Sequence, residues 1–223
     1  MPLEIRPAEP AELPDVADLC VAAYAPFLAG EGHYVAELRD VARRASEAEL
    51  LVAVEPDRGE VLGTVTFVPD GGALGEIAGP REAEFRMLAV GPAAQGRGVG
   101  TALLRRVLDD SRRGGKERVV CSSLPVMRAA HRIYAHLGFE RVPARDWSPV
   151  PGVELLAFAI SFNRSTRSEH TCTSLAQAPA HRDAVRRGGD AAAGQSARQE
   201  RERHHTLTSS KAQAAAVASA PPV

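Results

Sequence analysis

The spacing of apolar positions changes repeatedly along the chain, and each change predicts an element. Leu3 to Arg6 alternates as a short strand. Between Glu12 and Tyr24, the residues Leu13, Val16, Ala17, Leu19, Cys20 and Tyr24 recur at helical spacing, and the stretch Pro26 to Gly32 breaks that stripe. Val35, Leu38, Val41 and Ala45 predict a second helix that ends before Leu50. Leu50 to Val54 and Val61 to Val68 are β-rich runs joined by the turn Glu55 to Glu60, a hairpin. Pro69 to Pro80 is glycine-rich and irregular. In the strand that follows, Phe85, Met87 and Ala89 alternate with Glu84, Arg86, Leu88 and Val90, until Gly91-Pro92 removes the amide a ladder needs.

Val99, Leu103, Leu104, Val107 and Leu108 then return to helical spacing, so a helix opens near Gly98 and runs to about Arg113, where Gly114-Gly115 stops it. Arg118 to Ser122 is a strand, and Val126, Ala129, Ala130, Ile133 and Leu137 mark a helix closed by Gly138. Phe139 to Arg145 and Val153 to Phe162 are two strands around Trp147 to Gly152. The order β-α-α-β-β-β-α-β-α-β-β predicts an α/β (α+β) domain over residues 1–162, a mixed sheet flanked by helices.

From residue 163 onward the periodicity stops. Leu175, Val185, Leu207, Val217 and Val223 are the only large aliphatics, and Ser, Thr, Ala, Gln and Arg fill the rest. Such a segment buries too little apolar surface to offset its ordering entropy, so 163–223 is read as a disordered, low-complexity tail. Of 27 basic and 28 acidic residues, nine and five fall in this tail, leaving 18 and 23 in the first 162. The body is mildly acidic and the tail basic; a basic arm touching nucleic acid is the alternative to a dispensable tail. Bulk charge points to no nucleic-acid partner, and no apolar run is long enough for a signal peptide or a bilayer span. Cys20, Cys121 and Cys172 have neither metal-ligand spacing nor an even count for a disulfide framework, so a reducing, cytoplasmic setting and no metal are expected.

The chemistry concentrates where strand 84–90 meets the helix opening at Gly98. Gln95-Gly96-Arg97-Gly98-Val99-Gly100 puts three glycines where backbone amides meet the positive end of a helix dipole, a place for a phosphate. A Walker loop would carry Lys before its Ser/Thr, and Gly100-Thr101 lacks it. The dinucleotide fingerprint shares Gly96 and Gly98, with Glu117 near its acidic position, but Thr101 stands where its third glycine belongs. Gln-x-x-Gly-x-Gly after a strand ending Leu88-Ala89-Val90 instead resembles the acetyl-CoA signature of the GCN5-related N-acetyltransferase (GNAT) superfamily. Ala130-His131-Arg132-Ile133-Tyr134-Ala135-His136-Leu137-Gly138-Phe139 resembles that superfamily's Ala-x-x-x-Tyr-x-x-x-Gly-Phe segment. The resemblance covers about residues 1–162 and implies a mostly antiparallel central sheet of about seven strands flanked by four helices.

It also implies acetyl transfer from acetyl-CoA, as co-substrate, to a primary amine on a small molecule or peptide. Glu84, with Glu82 in reserve, would be the base that frees the amine. Tyr134 would be the acid that protonates the departing thiolate. The backbone of Leu88, Ala89 and Val90 would hold the pantetheine amides, and the amides of Gln95, Gly96, Arg97, Gly98, Val99, Gly100 and Thr101 the pyrophosphate. Arg97 either adds charge there or is a solvated loop arginine. The asparagine that many members carry after the preceding strand has no counterpart between Val119 and Tyr134; Ser122 and Ser123 occupy that region, and Ser123 is assigned the contact. Cys121 reads as a strand residue, and His131 and His136 as solvent-exposed. Tyr24, Phe27, His33, Tyr34 and Trp147 are candidate walls for the acceptor, whose cationic character the acidic body faintly favours. The other functional reading is a GNAT-fold module that binds acetyl-CoA without turnover, and either would be a monomer or homodimer.

Overall fold

The computed structural model describes residues 3–28 and 32–162; the segment read as a disordered tail, with Cys172, and the side chain of His33 lie outside the described residues. Seven strands, β1 (Glu4–Pro7), β2 (Glu49–Glu55), β3 (Glu60–Val68), β4 (Glu82–Val90), β5 (Arg118–Ser123), β6 (Glu140–Arg141) and β7 (Leu156–Ser161), form one sheet in the order β1-β2-β3-β4-β5-β7-β6. Every neighbouring pair is antiparallel except β4 with β5. The helices are α1 (Leu13–Tyr24), α2 (Gly32–Arg39), α3 (Val41–Glu47), α4 (Val99–Arg113) and α5 (Arg128–Leu137).

The sheet separates two apolar layers. On one face Leu51, Val65, Phe67, Phe85, Val119 and Cys121 pack with Leu103, Leu104 and Val107 of α4 and Tyr134 of α5. On the other, Val52, Val54, Met87 and Ala89 pack with Val16 and Cys20 of α1, Leu38 of α2 and Val41 of α3. Alternating side chains along β2 and β3 serve both layers, which is why those strands are buried nearly throughout.

Three elements differ from the sequence reading. The predicted second helix is two, because Asp40 leaves helical geometry (φ −78°, ψ 57°) and its carboxylate accepts the Arg43 amide, starting α3 afresh; among the described residues five α-helices flank the sheet. The strand expected over 139–145 keeps only Glu140–Arg141, since Pro143 has no amide to donate and opens a 3-10 turn. The alternation read across 84–90 breaks at Met87, which has φ +52°. Val65 of β3 faces an extra residue there, the mark of a β-bulge. Phe85 therefore joins the α4–α5 layer while Met87 and Ala89 join the α1–α3 layer.

Candidate active site at the split between β4 and β5

On the far edge of β4 the pairing is much shorter. Parallel pairing with β5 covers only Glu82↔Arg118, Ala83↔Val119 and Glu84↔Val120, whereas pairing with β3 runs on to Val90. Beyond Glu84 the two parallel strands diverge, so the β5-facing edge of residues 85–90 is outside the ladder. An unpaired edge presents amides and carbonyls to any extended chain laid beside it.

The split leads to the mouth of α4. Gly98 is its N-cap with φ +81°, no side chain caps this end, and the helical ladder starts only with Ala102 N–H donating to Gly98 O at 3.0 Å. The amides of Val99, Gly100 and Thr101 are thus first-turn donors without intrahelical acceptors. Gly96 and Gly98 border open space, and Gly96 also has a left-handed φ of +77°. Gly100 is different: a Cβ there would meet Ile133 Cδ1 at 3.0 Å and Val90 Cγ2 at 3.5 Å, so its lack of a side chain lets α5 close against the mouth. Val99 is buried in the core beneath, seated over Gly63 of β3, and Gln95 and Arg97 are exposed. Arg97 donates to the buried carboxylate of Glu55 at 2.9 Å, which ties the loop to the β2–β3 hairpin.

Tyr134 points into the α4–α5 layer, its ring edge-on to Phe85 and tilted against Phe139 and Phe158. Burial, then the adjacent Cys121 thiol, push its pKa well above 10, so the hydroxyl keeps its proton at neutral pH; Ser123 is a hydrogen-bonding neighbour. Ser123 is itself buried and its hydroxyl pairs with His131 Nε2 at 3.1 Å. His131, read as solvent-exposed from the sequence, lies tilted against Phe158 at 4.8 Å between ring centroids, and partial burial lowers its pKa. The signal missed was that Ser123 and His131 meet across the β5–α5 turn.

On the α1–α3 face a second set of polar groups converges. Glu84 is fully buried, and its Oε2 accepts the amides of Glu76, Ile77 and Ala78 at 2.9, 3.0 and 3.0 Å, while Oε1 has no hydrogen-bond partner among the described residues. Arg86 does not pair with Glu84; it binds Glu76 at 2.5 Å and the Leu74 carbonyl at 3.0 Å. Glu76, which sequence reasoning passed over, has its pKa raised to about 7 by burial, Arg86 opposing and the charges of Glu84 and Glu37 adding. Tyr24 donates to the Leu88 carbonyl at 3.4 Å and lies 5.9 Å ring-to-ring from Tyr34, whose pKa burial pushes up to about 12. Glu82 is taken by Arg145 and Arg118: burial opposes its charge, but the Arg145 hydrogen bond and the Gly79 amide outweigh burial and hold its pKa below the usual range. Trp147 donates to Ser122 at 3.0 Å, and among the described residues no cluster of His, Cys, Asp and Glu has metal-binding geometry.

A parallel pair that splits beside an uncapped glycine helix mouth leaves an open strand edge leading to a row of first-turn amides. The family behind it is recognisable: the model of the acetyltransferase (GNAT) family matches residues 16–139, and the chain belongs to that family. N-acetylaspartate synthetase from Rattus norvegicus is 31% identical over 107 residues, 44% of this chain and 36% of that protein, so the chain spans only about a third of the relative. A GCN5-related N-acetyltransferase from Kribbella flavida is 26% identical with a TM-score of 0.50, over 72% of this chain and 98% of that one. The fold is shared with yncA from Salmonella typhimurium, determined with its cofactor acetyl-CoA (TM-score 0.53, 22% identical, 74% and 96% covered). Among the described residues no helix is long and apolar enough to cross a membrane.

Proposed function

We propose that this acetyltransferase moves the acetyl group of acetyl-CoA to a primary amine by direct attack on the thioester. The observation that carries the reading is the β4–β5 split running into the Gly98 helix mouth. First-turn amides of α4 would take the pyrophosphate, where the helix dipole favours negative charge. The free edge of Leu88, Ala89 and Val90 would take the pantetheine amides as an added strand does, with Ser123 alongside. These donors come from the backbone, fixed before the ligand arrives, so little ordering cost opposes binding.

An alkylammonium with a pKa of about 10 must lose a proton before it can attack. Its lone pair then forms the C–N bond, the carbonyl oxygen takes up the charge, and collapse breaks the C–S bond. The thiolate leaves as the new amide nitrogen sheds its second proton, and Tyr134, protonated in its apolar setting, is the group we assign to relay a proton to sulfur. An acetyl-CoA consumption screen over polyamines, lysine, peptide N-termini, amine antibiotics and aspartate tests cofactor and acceptor together. Calorimetric heat with acetyl-CoA but not with NAD or ATP is the expected companion result; heat with NAD or ATP alone would end the reading.

A further inference from the structure

We infer that Glu76 is the base that takes the proton from the incoming ammonium, with Glu84 as the positioning residue that fixes it. The inference rests on the transfer reading above and adds the acceptor side to it.

Position along β4 comes first. The helix mouth lies beyond Val90, and a pantetheine arm running back along the free edge covers Val90 to Leu88. At ~3.3 Å per residue, four residues back from Val90 is about 13 Å, and this brings the acetyl end to Arg86 and Met87. The carboxylate of Glu76 is anchored there, 2.5 Å from the Arg86 guanidinium. The split between β4 and β5 opens immediately after Glu84, whose Oε2 grips the Glu76 amide. The loop carrying Glu76 is therefore fixed at the opening of the split.

Accessibility then separates the two carboxylates. Glu84 is 0% exposed, with one oxygen committed to three amides. The Glu76 side chain keeps 27% of its surface, enough to meet a substrate and return the proton to water. The groups facing Glu76 are Arg86 and Glu84 of β4 and Glu37 and Tyr34 of α2, with Arg44 of α3 also acting on Tyr34. Three carboxylates, Glu76, Glu84 and Glu37, share the site with one guanidinium, and Glu76 is raised to about 7 while Arg86 keeps it oriented. An ammonium entering here meets the Glu76 carboxylate and two tyrosines, Tyr24 and Tyr34. In the step itself the N–H bond of the ammonium breaks, the proton goes to a Glu76 carboxylate oxygen, and the freed lone pair attacks the thioester carbon. Glu76 afterwards releases the proton to solvent, so transfer yields one amide, one thiol and one proton.

The test measures transfer from acetyl-CoA to propylamine between pH 5 and 9 for the wild type, Glu76→Gln, Glu76→Asp and Glu84→Gln, with acetyl-CoA affinity by calorimetry on the same samples. The wild type should show an acid limb in kcat/KM near pH 7. Glu76→Gln should lose on the order of 100-fold and the limb with it, at unchanged acetyl-CoA affinity, while Glu76→Asp keeps a limb. Glu84→Gln should move the limb to lower pH, because it removes a charge that raises Glu76. A Glu76→Gln enzyme that keeps the limb overturns the inference and leaves the transfer reading standing. A wild type that binds acetyl-CoA but never acetylates propylamine also overturns it. Failure to bind acetyl-CoA at all sinks the transfer reading instead.

Discussion

The two faces of β4 are built by different means. Towards α4 and α5 the groups we propose for acetyl-CoA are backbone amides, placed by glycines at the helix mouth and by the strand edge left outside the β4–β5 ladder. Towards α1–α3 they are polar and charged side chains, and they come from α1, α2, the β3–β4 loop and β4: Tyr24, Tyr34, Glu76, Glu84 and Arg86. A surface made of backbone can receive the same nucleotide thioester whatever the acceptor, whereas a surface made of side chains can change acceptor by single substitutions. The two should therefore be separable by mutation, which is the property the following substitutions probe.

Removing the anchor on the acceptor face should have the largest effect. Glu84→Ala leaves the amides of Glu76, Ile77 and Ala78 without their acceptor, and each bond to a charged group contributes about 1.5–3 kcal/mol. Part of the loop can turn to water, so we expect a loss of about 3 kcal/mol in denaturant unfolding and a large fall in turnover. Acetyl-CoA affinity should change only severalfold; an affinity that collapses with the rate would show that the faces are not independent.

The same face predicts a pH dependence of stability. Glu76 in the folded chain holds its proton to about pH 7, against a reference of 4.5. Above 4.5 the unfolded state releases its proton first, so stability is fully present below that pH and falls as pH rises towards 7, levelling beyond. At ~1.4 kcal/mol per pH unit the decline is about 3 kcal/mol at most, because a partly exposed carboxylate is screened. Unfolding free energies of Glu76→Gln across pH 4–8 should lack this decline, and a parallel slope in both proteins would assign it to another group.

The contrast between the faces also explains what could be read from the chain. Gln95 to Gly100 and Ala130 to Phe139 are contiguous, because a helix mouth and a helix face are local objects whose residues must be neighbours in sequence. The element order was legible for the same reason. The bulge was not: Met87 is an ordinary strand residue by propensity, and only tertiary packing holds it at φ +52°. Nor was Glu76, which lies in a glycine-rich stretch without periodicity and acquires its setting from Glu84 and Arg86. The break at Asp40 was available, since Asp before a short apolar-periodic run is a capping signal, but the apolar spacing runs through it unbroken.

On the cofactor face the effects should be smaller and backbone-borne. At Gly63 an added Cβ would lie 2.8 Å from Val99 Cγ1 and 2.9 Å from the Ala89 carbonyl oxygen. The valine can rotate, but the carbonyl belongs to β4 and cannot. Gly63→Ala should therefore cost about 2 kcal/mol and lift the start of α4 off the sheet, weakening acetyl-CoA binding in calorimetry while leaving the Glu76 titration in place.

Gly98 isolates conformation from crowding, because nothing lies within 4 Å of where its Cβ would stand. Gly98→Ala meets only the strain of an L-residue at φ +81°, about 1 kcal/mol. If the helix mouth holds the pyrophosphate, that residue can relieve the strain by rotating the first-turn amides away, so acetyl-CoA affinity should fall by more than stability does. Gly98→Asn supplies the control, since asparagine enters the left-handed region more readily than alanine and should recover most of both losses. Equal affinity for acetyl-CoA in the wild type, Gly98→Ala and Gly98→Asn would mean that the amides at this end of α4 do not touch the nucleotide, and the backbone-made half of the comparison would have to be sought elsewhere along β4.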